Sequence, residues 1–192
     1  MVKRPEHRST VEVGLTTILD ELGECLRAVD ADELLSALNA IDQAKRVFVA
    51  GAGRSRLGVR GLAMRLMHIG KTSHVVGETT TPAIDAGDLL LVGSGSGRTA
   101  SLQEFVKKAK EVSATVLLFT IDPESPLAER ADHVVRVPGY SPRVPSSKTS
   151  AQPMGSLFEQ SLFILLDCIV LLLLQRDHYR PEEMRNRHAN LE

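Results

Sequence analysis

Apolar residues follow a helical spacing in the N-terminal part of this chain. Over residues 10–29 and again over residues 31–44, leucine, isoleucine and valine return every three or four positions, which predicts two amphipathic helices. Asp30 stands just before the second segment, where a residue that caps the helix is expected.

The pattern changes at residue 46. Short continuous apolar runs, many of them β-branched, alternate with helical segments as far as residue 137. Such runs are typical of strands that are buried on both faces of a parallel sheet. The predicted strands are Arg46–Ala50, Ser73–Val76, Asp88–Val92, Thr115–Thr120 and His133–Val137, and the predicted helices between them are Leu57–Ile69, Ala100–Val112 and a short one at Pro126–Arg130.

This alternation of strands and helices predicts an α/β fold. The sheet is expected to be doubly wound and flavodoxin-like, with five parallel strands in the order 2-1-3-4-5 and helices on both faces. In that order strands 1 and 3 are neighbours at the topological switch point, where ligands bind. We expect one domain over residues 1–192. Its predicted parts are N-terminal helices at 10–44, an α/β core at 46–137, a Pro/Ser-rich loop at 138–153, and C-terminal helices and tail at 155–192. The loop lacks periodicity and is expected to lie over the crevice at the switch point or along a subunit contact.

The longest apolar run, Leu162–Leu174, lies in a predicted helix at 155–176. Asp167 interrupts the run, which falls short of the roughly 20 residues that span a bilayer. A helix that is apolar all round is expected to be buried on all sides, here in part by other copies of the chain. The N-terminal residues lack the apolar run of a secretory signal. The sequence therefore predicts a cytoplasmic homo-oligomer with no membrane partner.

The composition, with 43% hydrophobic and 24% charged residues, is that of a soluble globular protein. A formal net charge of −1 gives no bulk electrostatic reason to expect nucleic acid as a partner. Cys25 and Cys168 lie in apolar helical segments and are expected to be free, buried thiols. The six histidines are scattered along the chain without metal-ligand spacing, so no metal site is predicted.

One loop carries the composition of a phosphate site. Ser94–Thr99 follows a predicted strand, precedes a predicted helix, and offers three hydroxyl groups and two glycines. Hydroxyls and the backbone N–H groups at a helix N-terminus bind a phosphate dianion, and glycine lets the backbone approach it closely. The alternative is a tight turn in which one hydroxyl merely caps the helix, but a cap needs only one hydroxyl.

A second glycine-containing loop, Gly51–Ser55, follows the first predicted strand. Its G-x-G pattern is also the start of a dinucleotide-binding motif, and Glu78 stands where that motif would place a ribose-binding acid. Arg56, however, occupies the position of the third glycine. Because the two loops follow strands 1 and 3, we expect them to face one crevice and to hold a small phosphorylated ligand.

Several segments together resemble the 6-phospho-3-hexuloisomerases of the sugar isomerase (SIS) domain superfamily. They are Gly51–Ser55, Ala63–His68, Ser94–Thr99, Gln152–Gln160 and the C-terminal Arg187–Glu192. The resemblance covers nearly the whole chain. It implies interconversion of a 3-hexulose 6-phosphate with fructose 6-phosphate, without cofactor or metal, in a tetramer. Arg98 and Arg56 depart from the family pattern and are expected to add positive charge beside the anion site.

Moving a carbonyl between adjacent carbons passes through a cis-enediol and needs a base and a group that handles the oxygens. Glu159, in the first turn of the long apolar helix, is the candidate base, although such a residue can also simply interact with its own helix end. The resemblance implies that His188 acts as the acid, in its own subunit or a neighbouring one, and His68 is a weaker catalytic candidate.

The predicted substrate-binding residues are Gly51, Gly53, Arg54, Ser55, Ser94, Ser96 and Thr99. Two alternatives stay open. One is another SIS isomerase, for example one acting on a pentose 5-phosphate, and the other is a non-catalytic sugar-phosphate-binding module. The second would not need Glu159 and His188, so their presence favours an enzyme. The pathway, formaldehyde fixation or pentose supply, also stays open.

Overall fold

The computed structural model describes residues 5–144, 149–176 and 179–191, and five parallel strands form one sheet within them. The strands are β1 (Val47–Gly51), β2 (Ser73–Val75), β3 (Leu89–Gly93), β4 (Thr115–Thr120) and β5 (His133–Arg136). Their order is β2-β1-β3-β4-β5, and every pairing is parallel. The predicted fold class and strand order are confirmed.

The register of β1 against β3 sets the position of the two glycine-containing loops. Gly51, the last residue of β1, pairs with Gly93, the last residue of β3. Both loops therefore leave the sheet side by side at its carboxyl edge, which is the switch point of a doubly wound sheet.

Helices cover the two faces of the sheet unequally. The helices are α1 (Pro5–Arg27), α2 (Ala31–Gln43), α3 (Gly53–His68), α4 (Ala100–Glu111) and α5 (Ser156–Leu173), with 3₁₀ turns at Ala128–Arg130 and Pro181–Met184. α1, α2, α3 and α5 share one apolar core with inward side chains of the strands, such as Val49 and Leu91. α4 packs on the other face against Phe48 and Leu90. Continuous apolar strands are thus explained by burial on both faces.

The cap of α2 confirms the sequence expectation. The carboxylate of Asp30 accepts hydrogen bonds from the backbone N–H groups of Asp32, at 2.8 Å, and Glu33, at 3.1 Å. These are two of the donors that a helix leaves unpaired at its first turn.

The predicted start of α3 was wrong by one turn. The helix begins at Gly53 and not at Leu57, so Arg54 and Ser55 belong to its first turn. Ala52 provides no side-chain cap, and Gly53 has a left-handed φ of +56°. Without a capping side chain this segment had the composition of a loop. The earlier start brings the N-terminus of α3 directly to the end of β1.

Within one copy of the chain, α5 is buried on one side only. Phe163, Ile164 and Leu171 keep 44%, 42% and 61% of their surface exposed, although the opposite side of the helix lies in the core. The 18 residues of α5 are long and apolar enough to cross a membrane by length and hydropathy alone, and just over half of that window is buried inside the protein. Its packing against α1, α2 and α3 accounts for the apolar composition of the buried side.

Neither Cys25 nor Cys168 forms a disulfide, as expected from their positions. Cys25 is buried and accepts a hydrogen bond from the Ser161 hydroxyl at 3.2 Å, between α1 and α5. Cys168 is only partly buried, on the side of α5 that also carries exposed apolar residues.

Candidate active site

A cavity of about 350 Å³ opens at the carboxyl ends of β1 and β3. Both glycine-containing loops line it, the first through Gly53 and Ser55 and the second through Ser94, Ser96 and Thr99. The expectation that the two loops face one crevice is confirmed. The volume lies within the range of about 300–1,000 Å³ that is typical of small-molecule sites.

The hydroxyl groups of the second loop are not used to cap α4. Thr99 occupies the N-cap position but makes no side-chain cap hydrogen bond. The Ser96 hydroxyl oxygen accepts only a long hydrogen bond, 3.3 Å, from the backbone N–H of Arg98. Ser94 is buried and lines the cavity. The capping alternative therefore does not account for these side chains, and their oxygens stay available to a ligand.

The segment after β4 holds the second loop in place. The carbonyl of Gly95 accepts hydrogen bonds from the Thr120 hydroxyl, at 3.2 Å, and the Ile121 N–H, at 3.1 Å. The Leu127 N–H donates to the Gly97 carbonyl at 3.2 Å. Gly97 has a φ of +60°, and a Cβ there would lie 1.9 Å from the Ser125 hydroxyl. Only glycine fits this turn. The turn and its hydrogen bonds hold the loop backbone in one conformation without a ligand.

The first loop brings the N-terminus of α3 to the cavity. A Cβ on Gly51 would lie 2.9 Å from the backbone nitrogen of Arg56, so glycine is needed for the chain to turn this tightly from strand to helix. Gly51 itself does not line the cavity, whereas Gly53 and the buried Ser55 do. A helix N-terminus of this kind presents backbone N–H groups and a partial positive charge.

Glu159 enters the cavity from the first turn of α5. Its carboxylate oxygen Oε2 lies 2.9 Å from Nη1 of Arg54, and the side chain is 20% exposed. The same Arg54 nitrogen donates a hydrogen bond to the Ser156 hydroxyl at 2.8 Å. Within the part of the chain that the structure describes, no group donates a well-aligned hydrogen bond to Oε2, even though this atom is buried. The contact between Oε2 and Arg54 is thus an ion pair without an aligned hydrogen bond, and Oε2 can still accept a proton.

The two candidate histidines lie together, away from this cavity. His68 is the last residue of α3, and α3 begins at the cavity, so a helix of 16 residues, roughly 24 Å long, separates them. The ring of His188 stacks on that of His68 with a centroid distance of 5.2 Å and an interplanar angle of 18°. Arg187 ties the C-terminal segment to this end of α3 by donating to the His68 carbonyl at 3.2 Å.

Two arginines that depart from the family pattern pair with carboxylates that do not line the cavity. Arg98 forms an ion pair with Asp122 at 2.8 Å. Arg56 lies 3.4 Å from the Val76 carbonyl and 4.0 Å from Glu78. Neither arginine is among the lining residues, and the charge that they add beside the anion site stays a prediction. Glu78 is also paired with Arg60, at 3.2 Å, and does not act as a ribose-binding acid at the cavity.

The chain after β5 supplies further cavity-lining residues, which the sequence did not identify one by one. They come from the predicted loop at 138–153 and the residues that follow it, and residues 145–148 lie outside the described part of the chain. The lining residues from these segments are Ser141, Pro142, Arg143, Met154, Gly155 and Phe158. Of the two positions expected for the loop, the structure favours the one over the crevice.

Glu21 of α1 anchors the second half of this loop. Its carboxylate accepts hydrogen bonds from the Ala151 N–H, at 2.7 Å, the Ser150 hydroxyl, at 2.7 Å, and the Gln152 side-chain amide, at 3.0 Å. Burial opposes ionisation of this carboxyl, but these hydrogen bonds hold the pKa of Glu21 below its usual value. The N-terminal helix thereby fixes the approach of the chain to Met154 and α5.

Among the residues that the structure describes, no group of three or more histidine, cysteine, aspartate or glutamate side chains is placed to hold a metal ion. The predicted absence of a metal and of a cofactor remains an expectation from the family resemblance.

A family model of the SIS domain matches residues 40–166, which span the sheet, both glycine-containing loops and the start of α5. The chain belongs to the SIS domain family. Within this family it is 47% identical to a 3-hexulose-6-phosphate isomerase of Mycobacterium gastri, over 93% of this chain and 89% of the relative. It is 43% identical to a 3-hexulose-6-phosphate isomerase of Bacillus subtilis, over 91% and 95% of the two chains.

A solved SIS structure of similar sequence leads to the same assignment. It is a protein of Methanococcus jannaschii whose structure was taken to infer the molecular function of a 3-hexulose-6-phosphate isomerase. It superposes with a TM-score of 0.80 at 33% identity, over 93% of this chain and 99% of the other. The predicted resemblance is confirmed, and with it the prediction that this SIS protein is an isomerase.

Proposed function

We propose that this isomerase interconverts D-arabino-hex-3-ulose 6-phosphate and fructose 6-phosphate, with Glu159 as the base. The observation that carries the proposal is that one cavity is lined both by Glu159 and by the hydroxyls of Ser94, Ser96 and Thr99. A proton-transfer reaction on a sugar phosphate requires a site that holds the phosphate and, in the same pocket, a carboxylate that can accept the proton. The names of the similar proteins support the choice of substrate.

The phosphate is proposed to bind where the two loops meet. Ser55, Ser94, Ser96 and Thr99 donate hydroxyl hydrogen bonds, and the N-terminus of α3 at Gly53 adds backbone N–H groups. Because the loops are fixed by Gly97 and by the glycine at position 51, little reorganisation is needed when the anion enters. Arg54, a predicted substrate-binding residue that is not among the cavity-lining residues, contacts both Ser156 and Glu159 and is proposed to hold the base in place.

The reaction moves one proton between carbons and one between oxygens. Glu159 removes the proton from C2 of the 3-ketose while O3 gains a proton, which gives an enediol of C2 and C3. The hydroxyl at O2 then loses its proton and Glu159 returns a proton to C3, which gives the 2-ketose. Oε2 suits this task because it is buried from bulk water and accepts no aligned hydrogen bond from a described residue that would compete for its lone pairs. Arg54, at 2.9 Å, holds this carboxylate in position.

His188 is proposed to manage the oxygens of the enediol in the cavity of a neighbouring subunit, and His68, which is only 3% exposed, to hold the ring of His188 in place. They stack on each other at the far end of α3, and the described lining of the chain's own cavity contains no histidine. The exposed apolar side chains of α3 and α5, which include Leu57, Met64 and Phe163, support burial of this face by further copies. A cytoplasmic homotetramer is the assembly that we expect.

A panel of phosphorylated sugars tests the proposed substrate. The protein is incubated with fructose 6-phosphate, ribose 5-phosphate, ribulose 5-phosphate and arabinose 5-phosphate, and products are identified by NMR. We expect the 3-hexulose 6-phosphate to form from fructose 6-phosphate and no turnover of the pentose phosphates. Preferred turnover of a pentose phosphate would replace the proposed substrate, and binding of sugar phosphates without any turnover would mean a sensor and not an enzyme.

A further inference from the structure

The charges that face the cavity leave a phosphate dianion only partly compensated. The hydroxyls of the two loops are neutral, and Glu159 contributes a negative charge. Arg54 offsets that carboxylate at 2.9 Å. The N-terminus of α3 supplies only a partial positive charge, so a further cation close by would strengthen binding of a dianion beside this pair.

Arg143 is the cationic residue in the described lining of the cavity. Its guanidinium has no ion-pair or hydrogen-bond partner among the described residues, in contrast to Arg54, Arg56, Arg60 and Arg98, each of which contacts a carboxylate. An arginine that lines a polar cavity without a carboxylate partner keeps all of its donors available to a ligand.

The backbone around Arg143 is held in place, although its side chain is exposed. The Val144 N–H donates to the Ser141 carbonyl at 3.0 Å, and the Arg143 N–H lies 3.4 Å from the Ser141 hydroxyl. Val144 is buried in the main core, and Tyr140 packs against the same core. These contacts form a short turn at the cavity rim, so the position of Arg143 follows from the packing of its neighbours.

We propose that Arg143 binds the phosphate group of the substrate and supplies the positive charge that the Ser/Thr loops lack. Guanidinium is suited to this contact, because its paired N–H donors match two phosphate oxygens. Arg143 sets specificity for a phosphorylated over an unphosphorylated sugar, and the neutral loops set the position of the phosphate. The inference rests on the proposed function, which places the phosphate in this cavity.

The test compares Arg143→Gln with the matched variant Arg136→Gln. Arg136, on β5, is also an exposed arginine, but it lies outside the cavity lining and its backbone N–H rather than its side chain contacts Glu33. Two quantities are measured for each protein. They are the KM and kcat for fructose 6-phosphate and the dissociation constant of inorganic phosphate, obtained by calorimetry without any turnover.

For Arg143→Gln we expect both the KM and the phosphate dissociation constant to rise about 10- to 100-fold, with kcat changed far less. Arg143→Lys should recover part of the loss, because it restores the charge without the paired donors. Arg136→Gln should match the wild type in both quantities. Circular dichroism and thermal unfolding check that each variant is folded.

An unchanged phosphate dissociation constant in folded Arg143→Gln would overturn the inference, and so would a fall in kcat with phosphate binding intact, which would place Arg143 at the reacting carbons. Failure of the proposed function has a different result. In that case the wild type itself would not turn over fructose 6-phosphate, while the calorimetric comparison of the variants would still report on Arg143.

Discussion

Arg54 and Glu159, which come from different helices, form an ion pair of 2.9 Å beside the cavity that Glu159 lines. The pair joins the first turn of α3, which follows the first glycine-containing loop, to the first turn of α5. The same guanidinium donates to Ser156, so in the proposed mechanism Arg54 holds the carboxylate of the base in place. Its removal should therefore change the position of the base more than the fold.

Replacing Arg54 by glutamine is expected to lower kcat by about tenfold or more, because a misplaced base reacts poorly with a positioned substrate. The Arg54 guanidinium lies 2.9 Å from Oε2 of Glu159 and also donates to Ser156, so it fixes where the carboxylate stands. The measurement is kcat and KM for fructose 6-phosphate. Arg54→Lys, which keeps the charge but not the paired donors, is the control and should lose less. A kcat of Arg54→Gln equal to that of the wild type would separate Arg54 from the base.

Replacing Ser96 by alanine is expected to raise the KM by about tenfold and to leave kcat nearly unchanged, since one hydroxyl hydrogen bond to a charged group is lost in both ground and transition state. Ser101→Ala is the matched control, because Ser101 is exposed on α4 and does not line the cavity. Equal KM values for the two variants would remove Ser96 from the phosphate site.

Mixed oligomers test whether His188 acts in a neighbouring cavity. Glu159→Gln and His188→Ala are each expected to be nearly inactive as homo-oligomers. If each site combines Glu159 of one chain with His188 of another, co-expression of the two variants in equal amounts should restore activity to about a quarter of the wild-type value. No recovery in demonstrably mixed oligomers would place both residues in the same subunit's site.

Glu21 should make the protein's stability depend on pH in the acid range. The pKa of this carboxyl is lower in the folded protein than its ordinary value of 4.5, because of hydrogen bonds that unfolding breaks. The carboxylate therefore stabilises the fold above pH 4.5, and this contribution is lost as the pH falls through the lowered folded-state pKa.

We expect Glu21→Gln to be less stable than the wild type at neutral pH, with a difference that shrinks below pH 4.5. Urea unfolding at a series of pH values measures it. Glu24→Gln is the control, because Glu24 is exposed on the same helix. A difference for Glu21→Gln that stays constant from neutral to acid pH would show that the hydrogen bonds to residues 150–152 do not depend on its charge.

The sheet and its two glycine-containing loops could be predicted from sequence because each depends on local chemistry. Continuous apolar runs identify strands such as Thr115–Thr120, which has the same bounds in the structure. Once the strand order is assumed, the position of each loop follows from the strand that precedes it. Ser94 and Ser55 could thus be assigned to one cavity without any knowledge of side-chain contacts.

The remaining features depend on packing between distant segments, which no local pattern encodes. Arg143 and Phe158 reach the cavity because the chain after β5 returns across the sheet and is held by Glu21 of α1. The directions of Arg98 and Arg56 are set by Asp122, Val76 and Glu78, which come from other loops and strand ends. The exposure of Phe163 likewise depends on which neighbours cover α5, and composition alone does not show this.

Solvent exchange tests the role of Glu159 most directly. Fructose 6-phosphate is incubated in D₂O with the wild type or with Glu159→Gln, and NMR follows deuterium at C3 of the 2-ketose and C2 of the 3-ketose. The account predicts deuterium at these carbons with the wild type, and a rate of exchange and turnover lowered about 100-fold or more in Glu159→Gln, with phosphate binding retained. Exchange at the wild-type rate in the variant would contradict the assignment of Glu159 as the base.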